Sequence, residues 1–104
     1  MMNKRTVWIT YNDRRKDMSN ADRYGELKDV FSSIGKEYNG DKLIAHARSV
    51  LKNWQPGDYL LVVGDPALVG LCMVVISEMD EEVNLLRWDR NNFEYAPLTF
   101  NFMP

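Results

Sequence analysis

Three aspartates stand where three strand-like stretches end: Asp13 after Thr6–Tyr11, Asp65 after Tyr59–Val63 and Asp89 after Val83–Trp88. Open α/β sheets bind ligands beyond the carboxyl ends of their parallel strands. If these strands are neighbours, the three carboxylates converge and could hold Mg²⁺, which takes oxygen ligands and keeps several waters. Arg14, Arg87 or Arg90 could then hold a phosphate. Each aspartate also has an ordinary structural role: Asp65 as a helix N-cap, Asp89 in a turn, Asp13 in a charged loop. Gly64-Asp65-Pro66-Ala67 could be a phosphate-binding turn at a helix N-terminus. Against that, Pro66 deletes an amide, the Asp65 carboxylate repels an anion, and no Gly-Lys-Ser/Thr loop is present.

Other reactive side chains lack the neighbours that chemistry requires. His46, the one histidine, falls on the polar side of a helix with no Cys, Asp or Glu at ligand spacing. A general base needs a positioned partner. Cys72 sits in an apolar run, where a thiol is neither exposed nor activated. Ser32-Ser33 has no Gly-x-Ser-x-Gly context. Trp8, Trp54, Trp88 and the tyrosines could stack on bases, but most fall in apolar stripes rather than among basic residues.

The elements that must position these residues are legible in outline. Thr6–Tyr11 is β-branched and aromatic, hence a strand. Asn12–Ala21 reads as a long polar loop. Tyr24–Ser32 fits a helix or a short strand around Leu27–Phe31, and the punctuation by Gly25 and Ser-Ser-Ile-Gly favours the strand. In Asp41–Trp54, Leu43, Ile44, Ala47, Val50, Leu51 and Trp54 repeat at helical spacing, with Asp41 as N-cap and Gln55-Pro56-Gly57 as stop. Tyr59–Val63 is continuously apolar, as a strand buried on both faces would be. Asp65 and Pro66 then open the helix Pro66–Glu78. Val83–Trp88 and Phe93–Phe102 form a hairpin. Pro97 marks the last strand as an edge, and a bulge there would bring Phe93 and Tyr95 onto the same face as Leu98, Phe100 and Phe102. The fold class is α/β, order β-(β)-α-β-α-β-β, with a mostly parallel core, a C-terminal antiparallel hairpin and two or three layers.

Composition narrows the function classes. At 104 residues, 45% hydrophobic and 27% charged, the chain is read as a single domain, 1–104, with a real core. A net charge of −2 argues against affinity built on coating phosphates with Lys and Arg, so no nucleic-acid partner is expected. It is also too mild for a DNA mimic. One cysteine permits no disulfide framework. The Ala67–Ile76 run is too short to span a bilayer and the start of the chain lacks a signal-peptide core, so a cytoplasmic setting without membrane contact is expected.

The second half of the chain resembles small phage-encoded α/β proteins. The likeness rests on Asp58-Tyr59-Leu60-Leu61-Val62-Val63-Gly64-Asp65-Pro66, on Val69-Gly70, on Leu85-Leu86-Arg87-Trp88-Asp89-Arg90 and on Tyr95, with an echo at Tyr24-Gly25-Glu26-Leu27. It covers roughly residues 56–102 and implies a host-cytoplasm setting, without an activity, cofactor or catalytic residue to carry over.

No catalytic constellation outweighs its structural explanation. The expected function is therefore a non-enzymatic interaction protein that binds another protein and forms a homodimer. The helix Pro66–Glu78 is apolar nearly all round, which one small sheet is not expected to cover. Its Leu68, Leu71, Cys72 and Val75, with Phe100 and Phe102 of the last strand, are the expected interface. The alternative is a Mg²⁺-dependent nucleotide- or phosphate-handling enzyme using Asp13, Asp65 and Asp89 with Arg87 and Arg90. The leading reading needs no cofactor.

Overall fold

The computed structural model describes residues 4–11, 18–34 and 36–102. In chain order these form β1 (Thr6–Ile9), a 3-10 helix (Ser19–Tyr24), β2 (Glu26–Asp29), α1 (Gly40–Leu51), β3 (Tyr59–Leu61), α2 (Pro66–Ser77), β4 (Glu82–Asp89) and β5 (Glu94–Asn101). The strands make one sheet in the order β2-β1-β3-β4-β5. Strands β2, β1, β3 and β4 are parallel, and β5 returns antiparallel to β4. The expected α/β architecture and its C-terminal hairpin are present, and the segment after Tyr24 is a strand. The polar stretch before it is not all loop, because Ser19–Tyr24 coils into the 3-10 helix.

Local sequence explains where the helices start. Asn39 caps α1, its side chain accepting from the Lys42 amide at 3.2 Å. Asp41, the expected cap, lies inside the first turn, where a carboxylate still complements the helix dipole. On α1, Ala47 and Leu51 are buried, with Leu43 and Val50 packed beside them. Gln55–Asp58 then turns the chain into β3. Pro56 and Gly57 occupy the two central positions, Gly57 has φ +93°, and the Asp58 amide bonds to the Gln55 carbonyl at 2.9 Å. Pro followed by a glycine with positive φ is the signature of a type II turn.

Both faces of the sheet are covered, and this explains the apolar runs. Trp8, Leu60, Val83 and Leu85 pack with residues of α1 and α2 on one face. Val7, Ile9, Leu61, Val63, Leu86 and Tyr95 pack on the other, with Met18 and Ala21 at the 3-10 helix. Strand β3 is apolar on consecutive residues because Leu60 and Leu61 enter different cores. The bulge expected at Pro97 is absent, since the β4–β5 register runs unbroken from Glu82↔Asn101 to Asp89↔Glu94. Tyr95 and Leu98 therefore lie on opposite faces, and each finds a core. The bulge followed from assuming one buried face.

Pro97 is tolerated for a specific reason. The Leu86 carbonyl accepts from Val62 on the β3 side, so Leu86 directs its backbone groups away from β5. Its partner Pro97 correspondingly turns its backbone toward the free edge, where the missing donor removes no ladder bond.

The strand order creates one further feature. The chain leaves β1 toward β2 on one side, and leaves β3 toward β4 on the other. Their carboxyl ends therefore flank a topological switch point, where such sheets open a crevice. Gly64 sits there with φ +97°, and a Cβ on it would come within 2.9 Å of the Tyr11 Cβ. Close approach and backbone conformation both require glycine.

Candidate functional site

The strand-end aspartates are occupied with local tasks. Asp65 Oδ1 accepts from the Ala67 amide at 2.9 Å, capping α2, with Pro66 at its start. Asp89 closes the β4–β5 turn, accepting from the amides of Asn91 at 2.9 Å and Asn92 at 3.4 Å and from Asn92 Nδ2 at 2.8 Å. The Asn92 side-chain bond, then the Asn91 amide, holds its carboxyl below the usual aspartate range. Arg87 and Arg90 are exposed and line an open hollow with Trp88, Asp89 and Ala96; Asp65 is not part of it. Asp13 lies outside the described residues. Among the described residues no three His, Cys, Asp or Glu side chains are grouped to hold a metal ion.

The lone reactive side chains are structural. His46 is half-buried rather than freely solvated, with Nε2 2.6 Å from the Val30 carbonyl oxygen and its ring near Phe31. A carbonyl only accepts, so the hydrogen sits on Nε2. Cys72 is fully buried, and burial pushes its thiol up to about 12.

A carboxylate that sequence reasoning passed over is better placed than any of these. Asp58 is 3% exposed, the one acidic or basic side chain buried among the described residues. It stands at the amino end of β3, opposite the strand ends that attract ligands. Its Oδ1 accepts from the Thr6 amide at 2.9 Å, and its Oδ2 from Trp8 Nε1 at 3.1 Å and the Gln55 amide at 2.9 Å. The Asp58 carbonyl accepts from Asn84 Nδ2 at 3.3 Å, and Asn84 Oδ1 accepts from Thr99 Oγ1 at 2.7 Å. These bonds join β1, the α1–β3 turn, β4 and β5. Every donor is neutral and comes from the fold itself, so the arrangement is a brace rather than a reactive centre. The sequence signal was an Asp closing a Pro-Gly turn immediately before an apolar strand.

The expected interface divides in two. Leu68, Cys72 and Val75 are buried inside the chain, so they offer no surface to a partner, and Leu71 is half-buried. The all-round apolar character of α2 is largely absorbed by α1 and the sheet. Phe100 and Phe102 are different. They are 40% and 49% exposed, with ring centroids 6.2 Å apart. Phe102, Met79 (48% exposed), Ser77, Glu78, Asp80 and Glu81 line an open hollow of about 400 Å³. The Phe102 amide bonds to the Glu81 carbonyl at 2.9 Å, which ties the end of β5 to the α2–β4 turn. The structure thus brings large apolar side chains together with carboxylates at the open edge of the sheet.

Residues 6–102 match the family model described as Phage Pam3 gp32-like protein, reaching well ahead of the segment 56–102 on which the resemblance rested. No curated protein and no solved structure matches the chain. Among the described residues no helix is long and apolar enough to cross a membrane. The chain belongs to the phage Pam3 gp32-like family and is a small phage-encoded protein.

Proposed function

We propose that this phage protein is a non-enzymatic interaction module that docks another protein at the open edge of its sheet, on Met79, Phe100 and Phe102. The observation that carries the reading is their joint exposure of 48%, 40% and 49% around one hollow and one ring pair. Full burial of a Phe or Met side chain gains roughly 1.5–3 kcal/mol, and a partner that covers the exposed remainder of these three gains somewhat less than half of that at each. Pro97 blunts the edge itself against an added strand, which favours docking on side chains over backbone pairing. The strand-end enzyme reading with Mg²⁺ draws no support from Asp65 and Asp89, which are committed to a cap and a turn.

A photo-crosslinking residue at position 102, compared with one at the 96% exposed Tyr38, tests the reading in infected cells. Discrete adducts from position 102 alone, abolished by Phe100→Ser, are expected. Identical adducts from both positions, or none, would remove it.

A second reading is self-association through the outward side of α2. It rests on a contrast: α2 carries no charged residue, and its Ala67, Gly70 and Val74 are exposed. Sedimentation should then show a concentration-dependent dimer that Val74→Lys disperses. A strict monomer at high concentration ends that reading.

A further inference from the structure

We infer that the partner of the open edge is cationic: a basic amphipathic segment of another protein. Its apolar side seats on Met79, Phe100 and Phe102, and its lysines or arginines meet Asp80 and Glu81. The inference rests on the docking reading above and adds the chemistry of the occupant.

The acidic border of the hollow is uneven in a useful way. Glu78 is already neutralised by Arg48 of α1, at 3.0 Å. Asp80 is held by neutral donors, Trp54 Nε1 on Oδ2 at 3.1 Å and the Glu82 amide on Oδ1 at 3.1 Å. Those bonds fix the carboxylate without cancelling its charge. Among the described residues, the ion pairs join Arg23 to Glu94, Lys42 to Glu37 and Arg48 to Glu78, and none reaches Asp80 or Glu81. Among the described residues, Asp80 and Glu81 therefore border exposed apolar side chains without a paired cation. One occupant satisfies both deficits if it presents positive charge around an apolar strip.

The same charges select against the other occupants. A second copy docked symmetrically on this face would bring Asp80 and Glu81 toward their own counterparts, and like charges set together at an interface oppose association. Nucleic acid and anionic membrane surfaces carry the wrong sign. A basic segment gains on-rate from the field and affinity from the burial.

The test uses the whole ¹⁵N-labelled protein and amphipathic helical peptides that share one apolar side of Leu and Ala and carry Lys, Gln or Glu on the other. The Lys peptide is expected to shift the amides of residues 79–82 and 100–102. It should bind about tenfold more tightly than the Gln peptide, and lose about tenfold as salt rises and the screening length falls from about 10 Å toward 3 Å. Asp80→Asn with Glu81→Gln should erase the Lys-over-Gln preference, while Phe100→Ser with Phe102→Ser should erase binding of every peptide. Equal binding of the Lys and Gln peptides at these amides overturns the cationic partner and leaves the docking face standing. Shifts at these amides on simple dilution of the protein identify a second copy and also overturn it. Absence of any peptide-induced shift there removes the docking face together with the inference.

Discussion

The two ends of the parallel sheet use carboxylates in opposite ways. At the carboxyl end, Asp65 and Asp89 are tied to backbone within a few residues of themselves. At the amino end, Asp58 is buried and joins groups about fifty residues apart in the chain, Thr6 and Trp8 among them. The end that attracts ligands in open α/β sheets here shows caps and turns, and the end usually left to stability holds the one carboxylate buried among the described residues. An aspartate at a strand end is therefore weak evidence for a site until its hydrogen bonds have been counted. A buried one whose acceptors are filled by the fold's own N–H groups is a structural element.

Substitutions at the two ends should separate in size. Asp58→Ala should be the most damaging, since it leaves the Thr6 amide, Trp8 Nε1 and the Gln55 amide without their acceptor. At roughly 1–3 kcal/mol for each unsatisfied buried donor, a loss of about 3 kcal/mol or more is expected in urea unfolding. A loss below that of Asp65→Ala would break the comparison. Cys72 offers a second readout of the same variant. Its thiol is buried and pushed up to about 12, so it should resist alkylation in the native protein and become labelled as the core opens in Asp58→Ala.

Trp8→Phe removes one donor while Gln55 continues to occupy the same oxygen, so about 1 kcal/mol should be lost. Asp65→Ala should cost about 1 kcal/mol as a lost N-cap, and Asp65→Ser should recover most of it. Failure of serine to rescue would mean that Asp65 does more than cap. Asp89 should matter least, and in a pH-dependent way. Its folded carboxyl lies below the ordinary range, chiefly through Asn92. The stabilisation is therefore present above the unfolded-state value of about 3.9 and is lost as pH falls through the folded one. Urea midpoints of the wild type and Asp89→Ala should differ at neutral pH and converge in acid. A gap that persists in acid would assign Asp89 a role other than accepting hydrogen bonds in the turn.

Much of the fold was legible because local rules agreed with the tertiary answer. The Asp65-Pro66 start of α2, the stripe of α1 and the parallel core with its final hairpin follow from capping, periodicity and burial. Readings failed where a residue's partner is distant or where coverage had to be assumed. The bulge at Pro97 presupposed one buried face. Leu68, Cys72 and Val75 were assigned to an interface because nothing local shows that α1 and the sheet between them can bury most of an apolar helix. Of the proposed docking residues, Phe100 and Phe102 came from the sequence. Met79 did not, because its exposure depends on how the α2–β4 turn meets the end of β5.

By itself, then, the sequence determined the elements, their order and the class of the sheet, because periodicity and turn chemistry act over a few residues. Tertiary structure alone decided which carboxylate is a brace and which are caps, and which apolar side chains are core and which remain in the open. Those outcomes depend on groups brought together from across the chain: Asp58 with Thr6, Trp8 and Gln55, and Phe102 with Met79 and Glu81. No local pattern encodes such meetings, and hydrogen bonding and burial take their energies from them.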